Sequence, residues 1–432
     1  MKREYIVRND DLLFRGILAF CRSFGVYSLL RSNSEVLIPF PYTKYHEYDL
    51  VAGAGVVSFI QPDILCFDAL KNFCSERKKW LFGHLSYDLK NETEPVLDSL
   101  LPGSVPFPLM YFFEPQVVIT VTGTKMTIDA SCEAECEKVY NEIIHYVYHE
   151  GPVPEILFRS RMLRENYGKR FRQLVHHIQQ GDIYEITFCR EFFAEAALNP
   201  ADLFCAMCRT LPAPFAALYR IGNCYLISAS PERFLMKKGR RIISQPMKGT
   251  AARKADPDED RKQREQLRGD IKERAENVMI TDLVRNDLSK TAAKGSVKVE
   301  DLFGVYTFPK VHQMVTTVLS ELREGVHFTE AVKAAFPMGS MTGAPKIRAM
   351  QLIEEFETTR RGLFSGSAGY ITPEGDFDFS VIIRSLLYDD KTNYISLSTG
   401  GAITSMSDED REFAETELKA AGILSLFGKQ SG

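Results

Sequence analysis

The chain has 432 residues, 45% of them apolar and 25% charged. That is more than one domain core usually holds, in the proportions of an ordinary globular protein. A net charge of −4 gives no electrostatic pull towards nucleic acid or an anionic membrane, and no apolar run approaches the roughly eighteen residues of a membrane span.

The N-terminal patch LLFRGILAFC is split by Arg15 and preceded by Asp10 and Asp11, so no signal peptide is expected. Residues 1–150 read as a mixed α/β first domain. GAGVV at Gly53 lacks the third glycine of a dinucleotide loop and reads as a turn. WLFGHLSYDL (Trp80–Leu89) reads as a buried strand running into a turn. QVVITV and KMTID flank Thr-Gly-Thr as a hairpin, and CEAECEKVYNEIIHYVYH has helical spacing. Residues 151–164, opening on Gly-Pro-Val-Pro, are the linker candidate.

A second domain, residues 165–428, follows. YGKRFRQLVHHIQQGD predicts a helix stopped by Gly181, and Ile183–Phe193 a strand. Cys205 and Cys208 form a lone CxxC without a second ligand pair, which argues against a closed zinc site. Nine cysteines, an odd count in a large chain, point to reduced thiols and a cytoplasmic setting. Asn223–Phe234 and Arg240–Thr250 read as strands with polar ends. Arg253–Asp270 reads as a mobile charged loop and the start of a solvated helix. Lys272–Leu288 predicts one amphipathic helix with Val278, Leu283 and Val284 as its apolar stripe. DFDFSVIIRSLLYDD alternates as a strand, joined through DKTN to NYISLSTGGAI. Strands linked by hairpins with helices between them predict an α+β layered fold on largely antiparallel sheet.

Several residue groups could carry chemistry. Glu273 and Glu276 stand three apart on one helix face, and Glu412 and Glu415 repeat the spacing near the C-terminus. Two such pairs could cage a hard divalent cation such as Mg²⁺, or simply be solvated helix faces. Gly249 and Thr250 after Lys248 could bring backbone N–H groups and a hydroxyl to an anion, or form a plain strand-end turn. Thr342 precedes Gly-Ala-Pro345, where a helix N-terminus is predicted. Arg384 among apolar residues needs an anion, from a ligand or from a structural acid. His312 and Glu232 read as a core histidine and a surface carboxylate, or as site groups.

The stretches GDIYEI, SASPERF, QPMKGTAAR, KERAENVMITDLVRNDL, GSMTGAPKIRAM, RRGLFSGSAGY, FSVIIRS and GGAI…EFAETELKAAG, in this order over residues 165–425, resemble the chorismate-utilising enzymes, the family of the first components of anthranilate synthase and aminodeoxychorismate synthase. The resemblance implies a two-domain layered α/β sandwich around a central cleft. It implies that Glu273, Glu276, Glu412 and Glu415 hold Mg²⁺, which in turn holds the ring carboxylate of chorismate with help from Gly249 and Thr250. Arg384 would grip the enolpyruvyl carboxylate, with Thr342 and His312 beside the ring. Glu232 would protonate the departing C4 hydroxyl. Gly401, Ala402 and Lys419 would complete the substrate-binding wall.

Lys248 stands where the aminodeoxychorismate branch carries lysine and the anthranilate branch alanine. The resemblance therefore implies attack by Lys248 on C2, then by ammonia on C4, giving 4-amino-4-deoxychorismate for para-aminobenzoate and folate. The alternative is the anthranilate branch, which also expels pyruvate. Nearby Mg²⁺ and partial burial are expected to lower the lysine's pKa and free its amine. Glu185 stands where the aminating enzymes usually have glutamine, with a hydrogen bond to Lys248 or to ammonia as its expected role. Phe364 replaces a frequent tyrosine and Ala402 a usual glycine. SLLRSNSE (28–35) only loosely matches the family's tryptophan-pocket motif. With no GxCxG-type nucleophile turn in the chain, ammonia is expected from a separate glutamine amidotransferase subunit.

Overall fold

The computed structural model describes residues 1–33, 44–146, 148–308 and 311–430. Ser34 and Glu35 of SLLRSNSE, Val147, and Pro309 and Lys310 before His312 lie outside them.

The described strands form two sheets, and every pairing in them is antiparallel. The first sheet runs Lys2–Ile6, Lys125–Asp129, Val117–Thr122, Leu50–Ala54, Val26–Arg31, Phe215–Ile221, Cys224–Ser230, Ser385–Asp389, Tyr394–Thr404, Glu185–Glu195 and Gly343–Ala344, with Arg159–Ser160 also on Glu185–Glu195. The second runs Met247–Ala252, Val311–Glu321, Arg241–Gln245, Arg233–Lys238, Phe377–Val381, Ser367–Ile371, Leu81–Leu85, Met110–Glu114 and Ser58–Ile60, with Lys298–Thr307 also on Val311–Glu321. Residues 1–150 and 165–428, expected as separate domains, thus contribute strands to both sheets. Neither stretch keeps a sheet to itself, because pairs such as Leu218 with Leu29 and Gly369 with Gly83 continue each sheet across the linker.

The layers follow from which faces are apolar. Val51, Val118, Tyr219 and Leu226 of the first sheet meet Phe82, Phe113 and Tyr370 of the second in a buried inter-sheet core. The outer face of the first sheet is covered by helices Asp11–Arg22, Glu133–His145, Pro200–Thr210 and Glu409–Leu424. Helices Cys66–Glu76, Ile271–Ser289 and Phe328–Ala335 cover the second. This helix–sheet–sheet–helix order is the layered α/β sandwich expected. Among the described residues no helix is long and apolar enough to cross a membrane, and no disulfide joins any of the nine cysteines.

Four local expectations change. Gly53 lies inside strand Leu50–Ala54 rather than in a turn, and a Cβ there would sit 2.5 Å from the Phe82 ring, so glycine is needed for close sheet packing. Arg253–Asp270 is largely the helix Pro257–Gly269, started by Asp256, whose side chain accepts from the backbone of Asp258 and Glu259. The alternating run through Arg384 is two strands, Phe377–Val381 and Ser385–Asp389, in different sheets; Arg384 sits at the corner with φ 51°. Helix Ile271–Ser289 buries Glu276, Asn277, Ile280 and Thr281 and leaves Val278 exposed. Its inward face is polar because it lines the cavity described next.

Candidate active site

The cavity lies where one end of each sheet meets a helix. From the first sheet come Glu185–Glu195 and Tyr394–Thr404 with helix Glu409–Leu424. From the second come Met247–Ala252 and Val311–Glu321 with helix Ile271–Ser289.

Lys248 projects from Met247–Ala252 just before a register shift centred on Gly249, whose φ of 73° suits glycine. Its Nζ donates to Glu185 Oε1, a carboxylate with no exposed surface. Burial pulls the ammonium's pKa down, but the carboxylates of Glu185, Glu276 and Glu232 outweigh it and hold the pKa above its ordinary value. The lowering expected from burial is therefore outweighed by the anions that surround the lysine. Glu185 reaches this place because its strand pairs with Tyr394–Thr404 on one side and Gly343–Ala344 on the other.

Glu232 is buried between Cys224–Ser230 and Arg233–Lys238, and its Oε1 accepts from Ser340 Oγ at 2.6 Å. Burial pushes its pKa up to about 7, against the opposing pull of that hydroxyl and of Lys248. No local sequence signal marks Ser340, within GSMTGAPK; only the fold brings it to Glu232.

The two acidic pairs face one another. Lys272 Nζ lies 3.0 Å from Glu412 Oε1 and 3.6 Å from Glu276 Oε1. Burial raises Glu276 to about 7 and lifts Glu273 as well, Glu415 adding to the latter. Glu415 is driven upward by burial but held below its ordinary range by Lys419, which it meets at 2.6 Å, and by Lys272 and Lys248. A Cβ on Gly401 would lie 3.2 Å from Glu412 Oε2, so the Gly401 backbone abuts this acidic patch. Ala402 continues the strand opposite Thr187. Among the described residues no three acidic or His/Cys side chains converge on one point in a metal-ligand arrangement. Glu276 Oε1 and Glu412 Oε2 are nevertheless buried without a hydrogen-bond partner, and carboxylate oxygens are the donors a hard divalent cation takes. The residues fit such an ion once the Lys272 ammonium moves aside.

Beside this lies a cavity lined by Pro231, Gln313, Arg384 and Lys419. The Arg384 side chain makes no hydrogen bond or ion pair to the described residues. Burial lowers its pKa, and Glu415 is the carboxylate that opposes the drop. Lys419 Nζ donates to Gly400 O at 2.8 Å. Thr250 Oγ1 donates to Gln313 Oε1 at 2.9 Å, and Gln313 Nε2 donates to Gly249 O at 2.9 Å.

Two expected residues are not delivered to these groups. His312 has both ring nitrogens engaged, by Asp260 and Thr307 at 3.0 Å each. Alternation along Val311–Glu321 turns the next residue, Gln313, to the cavity instead. Thr342 is wholly buried, its hydroxyl donating to the carbonyls of Met338 and Gly339. Helix Lys346–Phe356 begins later than predicted, because Gly343–Ala344 pairs with Glu185 and Ile186. Phe364 packs in the second sheet's apolar core.

A family described as chorismate binding enzyme matches residues 47–425. Aminodeoxychorismate synthase component 1 of Escherichia coli (strain K12) is 41% identical over 272 residues, 63% of this chain and 60% of that one. The match thus spans three fifths of that relative. Anthranilate synthase component 1 of Thermus thermophilus is 32% identical over 353 residues, 79% of this chain and 76% of that one. The crystal structure of anthranilate synthase component I from Streptococcus pneumoniae TIGR4 superposes with a TM-score of 0.79 at 23% identity, covering 98% of this chain and 99% of that one. A family match over most of the chain, on a fold shared end to end, places this protein in the chorismate-binding enzyme family.

Proposed function

We propose that the chain is the first component of an aminodeoxychorismate synthase, aminating chorismate at C4 with ammonia from a separate glutamine amidotransferase subunit. The observation that carries this reading is Lys248, a primary amine held inside the cavity among Glu185, Glu232 and Glu276. The 41% identity to relatives named for that activity supports it.

Glu273, Glu276, Glu412 and Glu415 would hold Mg²⁺, and the ion would neutralise the ring carboxylate of the substrate. Arg384, without a protein partner among the described residues, suits the second carboxylate. Hydroxide is a poor leaving group, so the C4 oxygen needs a proton as its bond breaks. Glu232, half protonated near pH 7, is poised to give one. The Lys248 amine attacks C2, and the ring π electrons shift so that the C4–O bond breaks with loss of water. Ammonia then attacks C4, the π electrons return, and the lysine leaves.

The test is product identification from pure protein, chorismate, Mg²⁺ and ammonium salt, with and without Lys248→Ala. Aminodeoxychorismate from the parent and none from the variant is expected. Fluorescent anthranilate with pyruvate would instead place the chain in the anthranilate branch. Unchanged aminodeoxychorismate turnover by Lys248→Ala would remove the lysine from the chemistry.

A further inference from the structure

The amination reading leaves one step without an agent: a lysine at its ordinary pKa of about 10.4 is an ammonium ion at neutral pH and has no lone pair to attack with. We propose that Glu185 removes the Lys248 proton before attack and returns it when the lysine leaves. The inference rests on that reading and adds to it the base that the lysine uses.

The geometry singles out Glu185 among three neighbouring acids. Glu185 Oε1 is the carboxylate oxygen that accepts from Lys248 Nζ. Glu185 Oε2 is buried and has no hydrogen-bond partner, so no donor opposes a proton placed on that carboxyl group. Glu232 is tied to Ser340 and serves the leaving oxygen. Glu276 lies on the side of Lys272 and Glu412. Glu185 is also fixed in a two-sided strand, Ile186 pairing with Ile403 and with Gly343, so its carboxylate is pre-positioned.

The steps balance. The ammonium and the carboxylate become a neutral amine and a carboxylic acid, with no change in the pair's net charge. For a pair this buried, with Glu185 fully covered and the Lys248 side chain 10% exposed, that conversion is far cheaper than releasing a proton to solvent, because no isolated charge is created. The nitrogen lone pair then forms the bond to C2. When ammonia expels the lysine, the C2–N electron pair returns to nitrogen, and the Glu185 proton restores the ammonium.

The charged groups around the pair are Glu232, Glu273, Glu276 and Glu415. Glu185→Gln leaves all four in place and keeps the side-chain shape while removing the base. With ammonia withheld, mass spectrometry of the full chain mixed with chorismate and Mg²⁺ follows the covalent adduct on Lys248. For Glu185→Gln the rate of adduct formation at pH 7 should fall by about 10²–10⁴-fold and recover as the pH is raised, when hydroxide takes over as base. Glu185→Asp retains a carboxylate and should keep the parent pH profile at a reduced rate. Adduct formation by Glu185→Gln at the parent rate and pH profile overturns the proposal. So does a Glu185→Asp profile displaced to high pH, and this second variant decides the matter if Glu185→Gln fails to fold. Lys248→Ala separates the two levels: aminodeoxychorismate formed without the lysine removes the covalent lysine step on which the inference rests, whereas an adduct indifferent to residue 185 defeats only the role of Glu185.

Discussion

Replacing Glu232 by glutamine should make the protein more stable and nearly inactive, with the stability gain confined to one pH range. Glu232 is 4% exposed and ionises at about 7 in the folded chain against an ordinary 4.5. The folded state therefore holds a proton between these two values that the unfolded state has released. Stability falls as pH rises through that window, and the loss is complete once the folded carboxyl has ionised above about 7. At roughly 1.4 kcal/mol for each tenfold in proton affinity, the charged side chain costs the fold about 3 kcal/mol at pH 8 and almost nothing at pH 4.5. Glutamine keeps the oxygen that accepts from Ser340 Oγ and never ionises, so Glu232→Gln should regain that amount at pH 8 alone. For a chain of this length that is about 3 °C in Tm. Thermal melts of both proteins at pH 4.5 and pH 8 measure it, while amination falls by about 10²–10⁴-fold from loss of the acid. A Tm difference equal at the two pH values, or a variant less stable at pH 8, would refute a raised pKa at Glu232.

Three further changes separate binding from folding. Arg384→Met should raise the KM for chorismate by about 10–100-fold, the worth of a charge-assisted hydrogen bond, with Tm nearly unchanged because no described residue loses a partner; an unchanged KM would mean the guanidinium does not meet substrate. Gly249→Ala places a Cβ 3.0 Å from Glu273 Oε2 at φ 73° and should cost about 1–2 kcal/mol in urea unfolding, along with weaker chorismate binding. Arg361→Ala strips the buried Glu357 of its partner at 2.6 Å and frees the carbonyl of Thr187, so a loss of about 3–5 kcal/mol is expected from the same unfolding curve. A loss below about 1 kcal/mol would show that Glu357 finds protonation or water instead.

Some of this architecture was written in short runs of residues. Alternation and a Thr-Gly-Thr turn mark the hairpin Val117–Thr122 and Lys125–Asp129. A glycine at φ 82° ends helix Arg164–Gln180. The three-residue spacing of Glu273 and Glu276, and of Glu412 and Glu415, puts each pair on one side of its own helix. These are contacts between near neighbours, and a 2.0 or 3.6 residue period encodes them directly. A period misleads where it continues through a change of direction. The pattern around Arg384 alternates without a break although the chain turns from one sheet into the other there. Helix Ile271–Ser289 buries a polar face that hydrophobicity alone assigns to solvent.

By itself the sequence determined which chemical groups the protein owns: two acidic pairs, a lysine near a strand end, a guanidinium among apolar residues and a proline-linked glutamate. Tertiary structure decided which of them meet. Lys248 and Glu185 are 63 residues apart and come from different sheets; Ser340 and Glu232 are 108 apart. A one-residue step along Val311–Glu321 gives the cavity Gln313 and turns His312 to Asp260. The physical reason is that a strand's partners and facing are set by closure of whole sheets over long loops, and no local period reports that closure.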